Sequence, residues 1–424
     1  MATAVKKNDK KATITVAMSN YLEAGSIVAG AGGLTLWMEY LHLDDFKLGL
    51  LGALSANGFG SAIGALIGGI LVDKYGRKFI YKYDLLVYML GVLLITFSFN
   101  FPMLLIGYVI TGIAVGAAIP AAWTYIAEEA PDKERAARIG YGQLAWSVGP
   151  AISLLLSVLL APLGLLGSRI IFAQLFIIAL VTWIMQQQIN ESAIWEEEKQ
   201  KEKAQIQKGE KIANPIKELF SIKANRKAIV LLIGIYVFWN LVAGVMGYFM
   251  PYIYETVGGL TAAHANLLQA FLWILTVAST YFVFIKLGDK VNRKLLYTIG
   301  AVLGIIAWLV LSLGSMGMFE LFTFVILWGV AAGFGAQAFY GLWSSELFHT
   351  KYRAKAQGFL FATARVSVGL ISLVVPLMIT TLGFKTSGLI MIGFLLIAAI
   401  IGFIMAPETR GKSLKEIEKE RYSA

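Results

Sequence analysis

Apolar stretches long enough to cross a lipid bilayer recur along almost all of this chain. A crossing helix needs roughly 20 mostly apolar residues, because the hydrocarbon layer is about 30 Å thick. Twelve such stretches are present, at 14–41, 48–72, 79–99, 103–127, 139–161, 168–188, 228–252, 264–287, 295–315, 319–345, 356–381 and 386–405. Inside a bilayer the backbone must satisfy its own N–H and C=O groups, so runs of this length fold as helices. Composition agrees. Of 424 residues, 58% are hydrophobic and 15% charged, against about 25% charged in a soluble protein. A soluble enzyme, a disordered chain and a nucleic-acid-binding domain are excluded as readings. The absence of cysteine removes disulfides, thiolate nucleophiles and Cys-ligated metals. The first stretch is too long for a signal peptide and has no small-residue cleavage site after it, so it is read as a retained helix.

A polar stretch, 189–227, contains the run EEEKQKEK and separates six spans from six. The expected fold is an all-α membrane protein with 12 transmembrane helices in two pseudo-symmetric six-helix bundles. The bundles are placed at 1–188 and 228–405. A cytoplasmic linker with short helices covers 189–227, and a cytoplasmic tail covers 406–424. The basic residues set the orientation. Thirty-two of the 36 lysines and arginines fall in the N-terminal tail, the loops after spans 2, 4, 6, 8 and 10, and the C-terminal tail. Lys47, Arg169 and Lys385 lie on the opposite side, and Arg365 lies inside a span. By the positive-inside rule both termini and the linker are cytoplasmic. The net charge of +10 is therefore read as topology rather than as a nucleic-acid signal. The expected setting is the cell membrane of a prokaryote, with the lipid bilayer and a small molecule as partners and a monomer as the working unit.

The halves repeat at a nearly constant offset. Asp73-Lys-Tyr-Gly76-Arg77-Lys78 follows span 2, and Asp289-Lys-Val-Asn292-Arg293-Lys294 follows span 8. Glu128-x-x-Pro131-x-x-x-Arg135 follows span 4, and Glu346-x-x-His349-x-x-x-Arg353 follows span 10. Glu191 after span 6 corresponds to Glu408 after span 12. Gly76 and Asn292 are expected to take positive φ in tight turns. The acids and arginines are expected to pair across helix ends, as latches that hold one conformation and release in another. Six-span halves in parallel repeat are a transporter architecture, with the solute site between them near the midplane.

These motifs carry a resemblance. Gly69-x-x-x-Asp73-x-x-Gly76-Arg77-Lys78 resembles the loop 2–3 signature of the major facilitator superfamily. Glu128-x-x-Pro131-x-x-x-Arg135 and Pro407-Glu-Thr-Arg-Gly-Lys-Ser-Leu414 resemble its sugar porter branch. The resemblance covers essentially the whole chain and implies alternating access between two six-helix bundles, often coupled to protons. The sequence also departs from the branch. Asn190-Glu-Ser-Ala-Ile-Trp195 replaces the span-6 PESPRW motif, and Tyr108 replaces the span-4 arginine ahead of Gly112. Phe238-Trp-Asn240-Leu-Val-Ala-Gly244 replaces the span-7 glutamine pair, and Tyr340-Gly341 replaces the span-10 Pro-Trp. The scaffold matches and the hexose-binding residues mostly do not.

Ionisable residues within a bilayer are functional candidates by default. Glu23 lies about nine residues, or roughly 14 Å, into span 1, and Arg365 lies equally deep in span 11. Glu23, in Tyr21-Leu-Glu23-Ala-Gly25, stands where the resemblance implies the proton-coupling acid. Its usual span-4 partner is Tyr108 here. Arg365, twelve residues after Arg353, stands where the branch usually has a tryptophan. It either clamps an anionic group of the solute or pairs with Glu23 across the halves. Gln143, eight residues after Arg135, occupies the position of the branch's span-5 substrate glutamine, and amides suit hydroxyl recognition. Asn57, Asn240, Gln269, Gln337, Tyr340 and Trp343 are further candidates inside spans. His42, His264 and His349 are not at metal-ligand spacing. No Walker A run occurs, so the energy source is expected to be a proton gradient, with no cofactor and no catalytic residue. The leading reading is a proton-coupled importer of a small polyhydroxylated solute. Alternatives are a carrier of an organic anion or sugar acid, a drug exporter, and, from another class, a non-transporting nutrient sensor.

Overall fold

A computed structural model describes residues 10–208 and 215–422. Lys6 and Lys7 of the first tail, Lys211 of the linker and the rest of 209–214 lie outside the described residues. Span 1 is built from α1 (Lys10–Gly32) and α2 (Leu34–Leu41), and span 2 from α3 (Asp45–Leu54) and α4 (Phe59–Tyr75). The first half is completed by α5 (Arg77–Thr96), α6 (Phe101–Glu129), α7 (Arg135–Leu159) and α8 (Leu165–Gln186). Between the halves lie α9 (Ala193–Gln207) and α10 (Pro215–Ser221). The second half opens with α11 (Lys223–Thr256) and α12 (Ala262–Ser279), the latter extended by a π-helical turn over Thr280–Ile285. It continues with α13 (Arg293–Leu313), α14 (Met318–Phe334), α15 (Ala336–Glu346) and α16 (Arg353–Met405), and α17 (Leu414–Tyr422) follows it.

Ten of the described helical segments are long and apolar enough to cross a membrane. The count becomes twelve for two physical reasons. As a straight rod, α16 would run roughly 80 Å, far more than the bilayer core. Instead Gly383 breaks it with φ 77° and ψ 160°. Ser387 Oγ then reaches back to the Met378 carbonyl, and Tyr297 OH on α13 donates to Ala398 O at 2.7 Å. The two arms are spans 11 and 12. The other omitted helix is α1, whose hydropathy is diluted by Asn20 and Glu23, both buried.

Helices pack closely where side chains are missing. A Cβ at Gly64 would lie 2.1 Å from Ile113 O, and one at Gly68 2.4 Å from Ala117 O. The Gly60–Gly64–Gly68 stripe thus lets α4 touch the backbone of α6. Between the halves, α1 meets α11, α4 meets α16, and α7 meets α12. Three spans are interrupted, at Gly33, at 55–58 and at Gly335. Non-helical backbone is tolerated at membrane depth where it is buried in protein or borders a cavity, and the last two breaks border the site described next.

Candidate functional site

Glu23 and Arg365 meet between the halves. Arg365 Nη2 donates to Glu23 Oε1, and the two side chains are 0% and 2% exposed. Arg365 stands twelve residues, or roughly 18 Å, along α16 from its basic-side end, which places the pair near mid-bilayer. The guanidinium also donates from Nη1 to Asn57 Oδ1 at 3.3 Å, and its carbon lies 4.7 Å from the Phe361 ring centroid. Asn57, in the break between α3 and α4, donates in turn to Gly244 O of α11 at 3.0 Å. The pair therefore ties α1 of one half to α16 of the other, with Asn57 linking it to α11. Glu23 Oε2 and the neighbouring Trp146 Nε1 make no hydrogen bond of normal geometry among the described residues.

Two chambers flank the pair. The outer one, a small space, is bordered by Arg365, Asn57, Asn240, Trp239 and Trp273. The inner one, smaller still, lies nearer the basic side and is bordered by Asn20, Gln143, Gln337 and Trp123. Trp146 borders both. Gln143 Nε2 donates to Ala332 O at 3.4 Å, and Gln337 follows the break at Gly335. Amides beside indole faces suit a solute with hydroxyl edges and C–H faces.

The remaining candidates lie elsewhere. Tyr108 packs on Phe172, and its hydroxyl abuts Gly30, seven residues and about two turns from Glu23. Arg365, not Tyr108, is the partner of Glu23. Tyr340 stacks on Tyr236 at 3.6 Å, beside Trp123. Trp343 is sandwiched with Phe339 and Tyr297, and Gln269 bonds to Met246. Three kinds of residue escape the sequence reading. Asn20 sits one turn before Glu23 on the same helix. Trp123, Trp146, Trp239 and Trp273 border the chambers and carry no sequence signal that sets them apart from packing residues. Asp84, inside span 3, is a second acid buried within a span, and it accepts from Leu85 N at 2.7 Å.

On the basic side the two repeated motifs interlock with exchanged partners. Glu128 accepts from Arg77 of its own half at 2.6 Å and from Arg353 of the other half at 3.4 Å. Glu346 accepts from Arg293 of its own half at 3.0 Å and from Arg135 of the other half at 3.2 Å. Asp73 bonds the backbone N–H of Lys355 near the start of α16, and Asp289 bonds those of Ala136 and Ala137 at the start of α7. Each half thus caps a helix of the other, where the helix dipole favours an anion. Glu191 caps α5 through Arg77 N and Lys78 N, and Glu408 caps α13 through Arg293 N. Gly76 has φ 92°, and a Cβ there would collide with the Glu191 carboxylate. Asn292 corrects the expectation of two positive φ values. It has φ −56° and caps α13 by accepting from Leu295 N, a role its side chain can fill and glycine cannot.

Comparison with known proteins fits this geometry. Residues 46–420 match the family described as Sugar (and other) transporter. The chain belongs to that family and is a membrane transporter, not an enzyme. It is 48% identical over 415 residues to the minor myo-inositol transporter IolF of Bacillus subtilis (strain 168), covering 98% of this chain and 94% of the relative. It is 25% identical over 431 residues to the arabinose-proton symporter of the same organism, covering 93% and 90%. The major facilitator superfamily proton:xylose symporter XylE bound to 6-bromo-6-deoxy-D-glucose superposes with a TM-score of 0.81 at 21% identity, covering 96% and 98%. The inward open conformation of the E. coli xylose transporter XylE superposes with a TM-score of 0.70 at the same identity and coverage.

Proposed function

We propose that the protein imports a small neutral polyol of the cyclitol or sugar type together with protons, with the proton gradient as its energy source and no cofactor. The carrying observation is the Glu23–Arg365 pair between the halves. An arginine buried without a partner is strongly unfavourable. When Glu23 is ionised the pair is complete, and the empty carrier can close. When Glu23 is protonated Arg365 loses its counter-charge, and closure needs other acceptors. Hydroxyls of a solute held between the halves, beside Arg365, supply them. Closure is then open to the empty deprotonated carrier and to the loaded protonated one. Those two steps give symport without proton leak.

The 48% identity to a myo-inositol transporter supports a cyclic polyol, as do the amides at Gln143, Gln337, Asn57 and Asn240. The basic residues support a cytoplasmic latch side, with both termini and the linker inside a bacterial cell membrane. The site lies wholly within one chain, which supports a monomer as the transporting unit. In proteoliposomes, Glu23→Gln is expected to abolish uphill uptake of myo-inositol while counterflow exchange continues. Uphill uptake at the unmodified rate would overturn the coupling role of Glu23. In a parallel comparison, Arg365→Trp carrying a sugar acid with unchanged affinity would rule out an anion clamp.

A further inference from the structure

The inner chamber contains an amide that the protein leaves unmatched. Asn20 is 1% exposed, and neither its Nδ2 nor its Oδ1 has a hydrogen-bond partner among the described residues. Buried polar groups are nearly always paired, so each exception needs an explanation. The surroundings accommodate this amide and little else. Gly142 faces it, and a Cβ there would lie 2.9 Å from Asn20 Nδ2. Gly341, also bordering the chamber, adds no side chain, and a Cβ there would meet only Ile139, at 3.5 Å. Gln143 from α7 and Gln337 from α15 border the same space. All the described residues that line it are uncharged, whereas Arg365 borders the outer chamber.

We infer that Asn20 is a specificity-determining residue that reads a pair of adjacent hydroxyls on the solute, selecting a fully hydroxylated ring over its deoxy analogues. This rests on the polyol reading above. A primary amide presents a donor and an acceptor side by side, and two neighbouring hydroxyls present the complement. A site built to bond a hydroxyl rejects the analogue that lacks it, because its own polar group is then left unpaired. Gln143 Nε2 already has a backbone partner in Ala332 and Gln337 faces the Tyr236 hydroxyl, whereas both ends of the Asn20 amide are free for the solute.

The test uses the purified full-length protein, titrated calorimetrically with myo-inositol and with each monodeoxy-inositol. The unmodified protein is expected to bind at least one deoxy analogue about tenfold more weakly, the scale of one good hydrogen bond. In Asn20→Leu the affinity for myo-inositol is expected to fall about tenfold and that discrimination to vanish. The ligand-free melting temperature is expected to hold or rise, because an unpaired buried amide has been replaced by an apolar group. Gly142→Ala keeps the amide but crowds it, and is expected to weaken binding in the same direction. Discrimination that persists in Asn20→Leu overturns the inference, and a lowered melting temperature with unchanged discrimination identifies a structural residue instead. If the unmodified protein binds no cyclitol or sugar at all, the proposed function fails first, and the inference fails with it.

Discussion

Charges are buried in two regions of this protein, and the regions use them differently. On the basic side, Glu128 and Glu346 each accept from two arginines, one from each half, and Asp73 and Asp289 cap helices of the opposite half. Removing one bond there leaves others in place. At mid-bilayer a single carboxylate faces a single guanidinium, and Glu23 Oε2 makes no hydrogen bond of normal geometry among the described residues, with Trp146 beside it. A multiply bonded network suits a seal that opens as a unit. A solitary pair suits a sensor, because one proton removes its charge attraction. The difference between them is redundancy rather than burial.

Breaking the solitary pair is therefore expected to have the largest effect. Arg365→Leu leaves the Glu23 carboxylate buried without a cation, which costs about 3–5 kcal/mol when ionised. Uphill uptake should be lost, and the double variant with Glu23→Gln should regain thermal stability without regaining coupling. Melting curves and uptake assays on the two variants check this. In the network, Glu346→Gln weakens charge-assisted bonds worth about 1.5–3 kcal/mol each. It should shift the protein toward a state open on the basic side, and Glu128→Gln should do so to a similar degree. Labelling of cysteines introduced on that side reads the shift directly, because the chain has none of its own. Unequal responses of the two glutamates would break the exchanged-partner symmetry.

Gly76→Ala forces a Cβ into a glycine-only backbone region, φ 92° and ψ 173°, at a cost of about 1–3 kcal/mol, and displaces Glu191. The melting temperature should fall measurably while transport by the remaining folded protein continues. The smallest effect belongs to the tail. Ser413 and Glu416 form a capping box at the start of α17, with Ser413 N donating to Glu416 at 2.7 Å. Hydrogen bonds from Ser413 hold the Glu416 carboxyl below its ordinary range. A depressed carboxyl stabilises the cap above its unfolded value and loses that contribution as pH falls through the folded one. Helix signal from the tail should be insensitive to pH near neutrality and decline only in acid, with Glu416→Gln removing the decline.

Much of the fold could be read from the chain. Lengths of apolar runs set the twelve spans, and the offset between motifs exposed the halves before any contact was known. Glu23 and Arg365 stood out because charge is rare in apolar runs. What resisted reading was three-dimensional. Nothing in the local pattern separates Trp146 and Trp273, which border a chamber, from Trp343, which is walled in by aromatics. Asn20 is not among the sequence candidates, since lack of a partner is invisible without neighbours. Tyr108 was aligned with an arginine position, but its ring turns toward Phe172 and its hydroxyl toward Gly30. The breaks at 55–58 and Gly335 lie in stretches that remain apolar overall, so hydropathy passes over them.

The central claim is that protonation of Glu23 opposes closure unless a solute is bound. Spin labels on two cysteines placed across the halves would measure closure as a distance distribution, in liposomes at neutral and acid pH, with and without myo-inositol. The expected result without solute is a closed population that shrinks on acidification, recovers when myo-inositol is added, and is low at both pH values in Glu23→Gln. A closed population that ignores pH in the unmodified protein, or that still follows pH in Glu23→Gln, would contradict it.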